Sequence, residues 1–372
     1  MASAMTAQAT AILELLSFSA IEGWADDDHA AALETFRRSC VEILGGGHAF
    51  TRKVVFGGKR EQWTAVCERA ATTPDARRFF ENNFQPLRVH DPVRPGGLFT
   101  GYYEPEAEGS RTPSKTYPVP LYGKPDDLVA FDAATAKRLG VGYGRMVGGK
   151  PHLYFTRKEI EQGAFAGRGL EIAWLRHWAD AFFMQVQGSG RVLLPDGSVI
   201  RFAYAGKSGQ PYTGIGGVLV ERGVFNRDEM SMQATRAWMA KDEKAARELM
   251  WENKSFVFFR EMEMDDPKLG PPGAQKVSLT PLRSLAVDRS LWIFGTPVWL
   301  DTKTPSGPER QMEIFRHLMI AQDTGTAIKG HARGDVFWGA GEGAALTAGH
   351  MKSQGLMIVL LPKDIAREML SP

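Results

Sequence analysis

Asp323 ends an apolar stretch at 318–322, and Asp335 opens another at 336–338. The connection between them carries Gly325, Gly330 and Gly334. Such a glycine-rich link lets the two runs fold back on each other, so that their acids approach from neighbouring strands. A third acid stands upstream in Ala286-Val287-Asp288-Arg289-Ser290. A carboxyl among apolar and aromatic side chains resists ionisation, because burial disfavours the charged form. Held protonated near neutral pH, it can serve as a general acid. Turn aspartates bonding local backbone have the same spacing, and spacing alone leaves both readings open.

Other chemistries find little support. Gly206-Lys207-Ser208 resembles the end of a phosphate loop, but that pattern needs glycine where Arg201 stands. The glycines from Gly339 to Gly343 do not fit the dinucleotide fingerprint. No HExxH occurs, His331 and His350 lack ligand spacing, and Ser189 lacks the GxSxG elbow. No metal and no cofactor is therefore expected. Cys40 and Cys67 form no CxxC pair. A disulfide in an oxidising compartment and two small buried hydrophobes both remain open.

The elements that must position these acids are legible in outline. Asp28 caps a helix with Leu33, Phe36, Cys40, Val41 and Leu44 on one face, and Gly45 to Gly47 end it. A second helix surrounds Trp63, Val66, Cys67 and Ala70, and a third runs over 75–84. Beyond Pro92, Gly96 and Gly97, short apolar runs split by turn residues read as strands. Residues 171–183 read as a helix feeding a strand at 184–186. Pro195-Asp196-Gly197 marks a hairpin between 191–194 and 199–204, and 230–251 is helical. Strands are expected at 277–279, 290–293, 297–300, 318–322 and 357–361. A closed barrel suits this last part, since closure removes exposed sheet edges.

The 372 residues allow two or three domains, and 40 Gly with 21 Pro favour a strand-rich fold. A net charge of +2 without a Lys/Arg stripe gives no reason to expect nucleic acid. No apolar run reaches the roughly 20 residues of a membrane span. Residues 1–20 carry no Lys or Arg and include Glu14, which makes a poor secretion signal.

Longer motifs sharpen the reading. The run Gln322-Asp323-Thr324-Gly325, Ala327-Ile328-Lys329-Gly330 and Asp335-Val336-Phe337-Trp338-Gly339 resembles the three-aspartate "3D" barrel signature. Leu98-Phe99-Thr100-Gly101-Tyr102-Tyr103-Glu104-Pro105, Gln185-Val186-Gln187-Gly188-Ser189-Gly190, Tyr204-Ala205-Gly206-Lys207 and Ser255-Phe256-Val257-Phe258-Phe259 complete a consistent order. Together they closely resemble the membrane-bound lytic murein transglycosylase A family. The resemblance implies a mainly β fold with N-terminal helices: a double-psi β-barrel with a second, smaller β-rich domain inserted. The barrel would take 1–103 and 259–372, the insert 104–258, with a glycan groove between them.

The resemblance also assigns roles. Asp335 falls on the family's single catalytic acid, with Asp323 and Asp288 as supporting aspartates. Thr100, Tyr102 and the loop Gln187, Gly188, Ser189 and Gly190 fall on groove segments. Tyr103 and Trp338 are further candidates for stacking on sugar faces, and Lys329 for contact with Asp335 or substrate. Asp323, if ionised, would raise the pKa of Asp335; holding barrel turns is its alternative role. The implied reaction cleaves the β-1,4 bond between N-acetylmuramic acid and N-acetylglucosamine and closes a 1,6-anhydro ring. The expected partners are peptidoglycan strands, with other cell-wall enzymes as candidates, and the protein is expected to be a periplasmic monomer, with outer-membrane association open. A non-catalytic glycan-binding scaffold barrel is the alternative from another class. A two-carboxylate hydrolase using Asp335 with Asp323 or Glu104 is a third reading.

Overall fold

A computed structural model of the chain describes residues 12–92, 96–264, 266–307 and 311–370. Most of the N-terminal stretch weighed as a secretion signal, residues 1–11, lies outside them. The chain divides into two compact units, one built from 1–103 and 268–372 and the other from 104–267. Among the described residues no helix is long and apolar enough to cross a membrane.

The first unit is built on a ring of six strands. These are β1 (Gly97–Glu104), β2 (Ser284–Val287), β3 (Pro297–Ser306), β4 (Gln311–Asp323), β5 (Arg333–Ala340) and β6 (Lys352–Pro362). Each pairs with its neighbours in the order β6-β3-β4-β2-β5-β1, and β1 pairs back onto β6, which closes the barrel. The β2–β4 pairing is parallel, and the pairings β2–β5, β3–β4, β3–β6 and β1–β6 are antiparallel. Strands Leu13–Leu15 and Phe84–Val89 extend the sheet beyond β6.

Three helices pack against the barrel and share its core: α1 (His29–Leu44), α2 (Arg60–Thr72) and α3 (Ala76–Asn83). Their starts follow the capping rule. Asp28 accepts from the Ala31 amide and Asp75 from the Arg78 amide, satisfying donors that a first helical turn leaves open. The buried face of α1 is rotated from the expected one. Ala32, Leu33, Phe36, Cys40 and Ile43 are buried, whereas Val41 and Leu44 face solvent. The true stripe carries Thr35 and Ser39, polar residues that apolar patterning skips. Cys40 and Cys67 form a disulfide joining α1 to α2, with Cα atoms 5.1 Å apart. Closing a loop of this length is worth about 3–4 kcal/mol through the unfolded chain.

The second unit combines sheets with helices. It carries a six-stranded and a three-stranded sheet, with helices that include Trp178–Gln187, Met232–Met239 and Glu243–Glu252. Its chain runs past the expected boundary at 258, because Val257–Met262 pairs with Val199–Lys207. The hairpin at Pro195-Asp196-Gly197 forms as its turn residues dictate, with Gly197 at φ 84°.

Residues 171–187 reverse the expected order. Glu171–Leu175 is a strand and Trp178–Gln187 a helix. Ala173 and Leu175 alternate inward at strand period, while Ala181–Gln185 is buried as a continuous helical run, so periodicity over so few residues misleads. Of the expected C-terminal strands, 290–293 is a turn: the Leu291 and Trp292 amides both donate to the Asp288 carbonyl. The stretch 277–279 contributes one isolated bridge, from Ser278 to Pro272.

Candidate active site

The strands bearing Asp323 and Asp335 are not adjacent. β2 runs between β4 and β5, and Ala286 registers with Asp323 on one side and Asp335 on the other. Strand spacing then sets the two Cα atoms about 10 Å apart. Period-two alternation sorts the walls. Phe99, Leu285, Val287 and Val336 enter the core, while Thr100, Tyr102, Ala286, Asp335 and Phe337 take the opposite wall.

There the side chains of Thr100, Tyr102, Asp323, Arg333 and Asp335 converge. The Thr100 hydroxyl donates to Asp335 Oδ1, and Arg333 Nη2 donates to Thr100 Oγ1 over 2.8 Å. The Tyr102 hydroxyl donates to Asp323 Oδ2 over 3.0 Å, and its ring packs on Phe337 with centroids 5.2 Å apart. Asp323 Oδ1 also accepts from the amides of Ala274 and Thr324, each at 2.9 Å. The Ala274 contact depends on a close approach of its loop. A Cβ on Gly273 would stand 2.6 Å from the Gln322 carbonyl oxygen. A buried polar relay fixes the same place: Ser284 Oγ donates to Gln322 Oε1, and Gln322 Nε2 donates to Ser39 Oγ on α1.

The two acids differ in their partners. Burial pushes the Asp335 carboxyl up from its ordinary pKa, and the nearby Arg333 charge and the Thr100 hydroxyl only partly oppose it. Burial likewise raises Asp323, with the charge of Asp335 adding to the rise, against donors from Thr324, Ala274 and Tyr102. Three donors favour a carboxylate at Asp323, whereas Asp335 accepts from one. Tyr102 is pushed well above the usual phenol range, by burial first and then by Asp323, and stays a neutral donor.

Asp288 stands apart from this pair. Its carboxyl accepts from the Ser290 amide and hydroxyl, the Gly330 amide and Lys329 Nζ, the last at 3.3 Å. Burial raises it, but these donors outweigh burial and leave its pKa below the ordinary value. It is an ionised turn-holder. Lys329 therefore pairs with Asp288, not with Asp335, because the turn at Gly330 brings it there.

The remaining candidates are sorted by burial. Trp338 lies on the wall opposite Asp335, packed on Phe315 with centroids 5.6 Å apart and against a Gly101 that leaves it room. Strand alternation turns it from the acid. Tyr103 is 5% exposed, its ring enclosed and unavailable for stacking. In the second unit, Gly188 ends the helix Trp178–Gln187 in left-handed conformation at φ 82°. Gln187 and Gly188 stay partly exposed, while Ser189 and Gly190 are buried at the start of the next strand. Glu104 is fully enclosed and bound by Arg191 Nε at 2.7 Å and Arg201 Nε at 2.8 Å. Both its oxygens are committed, which removes it as a second catalytic carboxylate. Among the described residues no group of three His, Cys, Asp or Glu side chains is placed to hold a metal.

Sequence reasoning passed over Arg333 and the loop carrying Gly273 and Ala274. Arg333 had a signal, since a residue two positions before Asp335 on a strand shares its wall. The loop had none, because its contact with Asp323 spans distant sequence.

The closed ring with its paired aspartates is a 3D-type barrel: the family described as "3D domain" matches residues 283–361. That described as "MltA specific insert domain" matches 98–260. The membrane-bound lytic murein transglycosylase A of Escherichia coli K12 is 32% identical over 312 residues, 82% of this chain and 77% of that protein. The chain belongs to the membrane-bound lytic murein transglycosylase A family. The Vibrio cholerae protein of that name is 37% identical over 263 residues, 69% of this chain but 63% of its own length, less than two thirds. A crystal structure of a membrane-bound lytic murein transglycosylase from Agrobacterium tumefaciens superposes with a TM-score of 0.85 at 33% identity, covering 96% of this chain and 99% of that one. The E. coli MltA crystal structure with bound chitohexaose gives 0.67 at 28% identity, covering 92% and 90%.

Proposed function

We propose that this chain cleaves peptidoglycan glycan strands as a lytic transglycosylase, with Asp335 as its single acid and then base. The observation that carries the reading is a carboxyl raised by burial, held by one hydroxyl, beside a second carboxyl committed to three donors. In the same reading the barrel is of the double-psi type and 104–267 is its insert, and the parallel β2–β4 pairing within an otherwise largely antiparallel ring supports this. The relative that binds chitohexaose supports a β-1,4-linked amino-sugar polymer as ligand. Because murein lies outside the cytoplasmic membrane, the site of action is the periplasm.

The protonated Asp335 gives its proton to the glycosidic oxygen as the bond to C1 of N-acetylmuramic acid breaks. The resulting carboxylate takes the proton of the C6 hydroxyl, whose oxygen bonds to C1. No water enters, and the acid is regenerated. One carboxyl suffices because the nucleophile belongs to the substrate and arrives at high effective concentration. A hydrolase needs a second carboxylate to act on water. Burial keeps Asp335 neutral, while Tyr102 and Thr100 orient the pair. Gln187 and Gly188 supply polar contacts to the glycan.

The product decides the reaction class. Mass spectrometry of muropeptides released from murein is expected to show 1,6-anhydro ends. Products heavier by one water would assign a hydrolase, and binding without release would assign a scaffold.

A further inference from the structure

Arg333 touches neither the second carboxyl nor, in the proposed chemistry, the reacting bond, yet its placement has a chemical consequence. It is 7% exposed and anchored on β5, where Nη1 donates to the carbonyls of Leu98 and Gly334. Its Nη2 donates to Thr100 Oγ1. A guanidinium has no acceptor and stays charged, so in this contact the threonine oxygen can only accept. A hydroxyl has one hydrogen and two lone pairs; Arg333 takes one lone pair, and the hydrogen is directed to Asp335 Oδ1. Among the described residues Thr100 is the one side chain hydrogen-bonded to Asp335. A neutral carboxyl whose Oδ1 accepts a hydrogen bond carries its proton on Oδ2.

We infer that Arg333 is a positioning residue: by donating to Thr100 it fixes the direction of the Thr100 hydroxyl and confines the acidic proton of Asp335 to Oδ2. The inference rests on the reading of Asp335 as the acid and adds to it which oxygen delivers the proton. Without Arg333 the Thr100 hydroxyl can turn, and the proton is shared between the two carboxyl oxygens. The same guanidinium is the main positive charge near Asp335. The other groups facing that carboxyl are Thr100 and Tyr102 from β1 and Asp323 from β4, while β2 offers only uncharged Ala286.

The test uses the full chain with murein as substrate and reads kcat, KM and the pH profile. Arg333→Met should lower kcat about tenfold to a hundredfold with KM little changed, part of the ~10²–10⁴-fold that general acid–base help supplies. Activity falls as pH rises past the pKa of the acid. Removing a positive charge raises that pKa, so the falling limb should move to higher pH, which mere structural damage does not do. Arg333→Lys, which keeps the charge and one donor, should restore most of kcat and return the limb. Thr100→Val should lower kcat similarly, and Arg333→Met added to it should cost little more, since both break one relay. Should Arg333→Met not fold, Thr100→Val against Thr100→Ser reads the same relay. Unchanged kcat in Arg333→Met, or fully additive losses in the double variant, overturns the inference. If Asp335→Asn keeps wild-type release, the acid assignment itself fails, separately from the relay.

Discussion

Asp335→Asn should abolish release of anhydro-muropeptides, by about 10³-fold or more, since one substitution removes both the acid and the base. Binding to insoluble murein should persist, because asparagine keeps the size of the side chain and its acceptor for Thr100. The fold should be at least as stable as the wild type at neutral pH. The folded-state pKa of Asp335 lies above its unfolded value, so the native state holds the proton longer. Stability from this group is then present below the unfolded pKa and is lost as pH rises through the folded one. An uncharged side chain escapes that loss. A site that costs stability where it provides chemistry fits a functional rather than a structural carboxyl. Muropeptide release and thermal unfolding, measured on one preparation, check both halves. Normal release by the variant would remove Asp335 from the mechanism.

Glu104→Gln should have the largest effect on stability outside the site, a loss of about 3–5 kcal/mol. Glu104 is fully enclosed, and Arg201 beside it is 4% exposed. The carboxylate takes Arg201 through Nε and Nη2 and Arg191 through Nε, and Arg191 Nη2 reaches on to the Pro267 carbonyl. This network joins the first and last residues of the second unit, Glu104 and Pro267. Glutamine matches the shape but takes the Glu104 charge from the buried Arg201, while the partly exposed Arg191 keeps Glu106 at 3.7 Å. Denaturant unfolding followed by near-ultraviolet dichroism measures the cost. A loss below about 1 kcal/mol, as exposed pairs give, would show that water reaches the arginines and the carboxylate is dispensable.

Much of this molecule was legible wherever a local rule governs. Asp28 and Asp75 announce their helices by capping, and Pro195-Asp196-Gly197 announces its hairpin. Trp63, Val66, Cys67 and Ala70 mark the buried face of α2 by period alone. Long motifs carried the family, and with it the proposed role of Asp335. What local pattern cannot contain is the partner across the sheet. β2 is four residues long, and its insertion between the strands of Asp323 and Asp335 is a pairing over tens of residues. What distinguishes the three aspartates is their donors, from Thr100 to Asp335, from Tyr102 and Ala274 to Asp323, and from Ser290 to Asp288. Those donors arrive from other strands, loops and turns. The disulfide stayed open because two cysteines on separate helices have no spacing rule. Tertiary packing also decided 171–187, where apolar residues serve helix and strand equally well.

Titration of the Asp335 carboxyl in the free protein, followed by carbon NMR on aspartate-labelled chain with Asp335→Asn for assignment, reads whether this group holds the proton. The expected midpoint lies clearly above the ordinary aspartate value of about 3.9, with the neutral form persisting where Asp288 is already charged. A midpoint at or below that ordinary value would mean that the carboxyl holds no proton to give, and the mechanism would be contradicted.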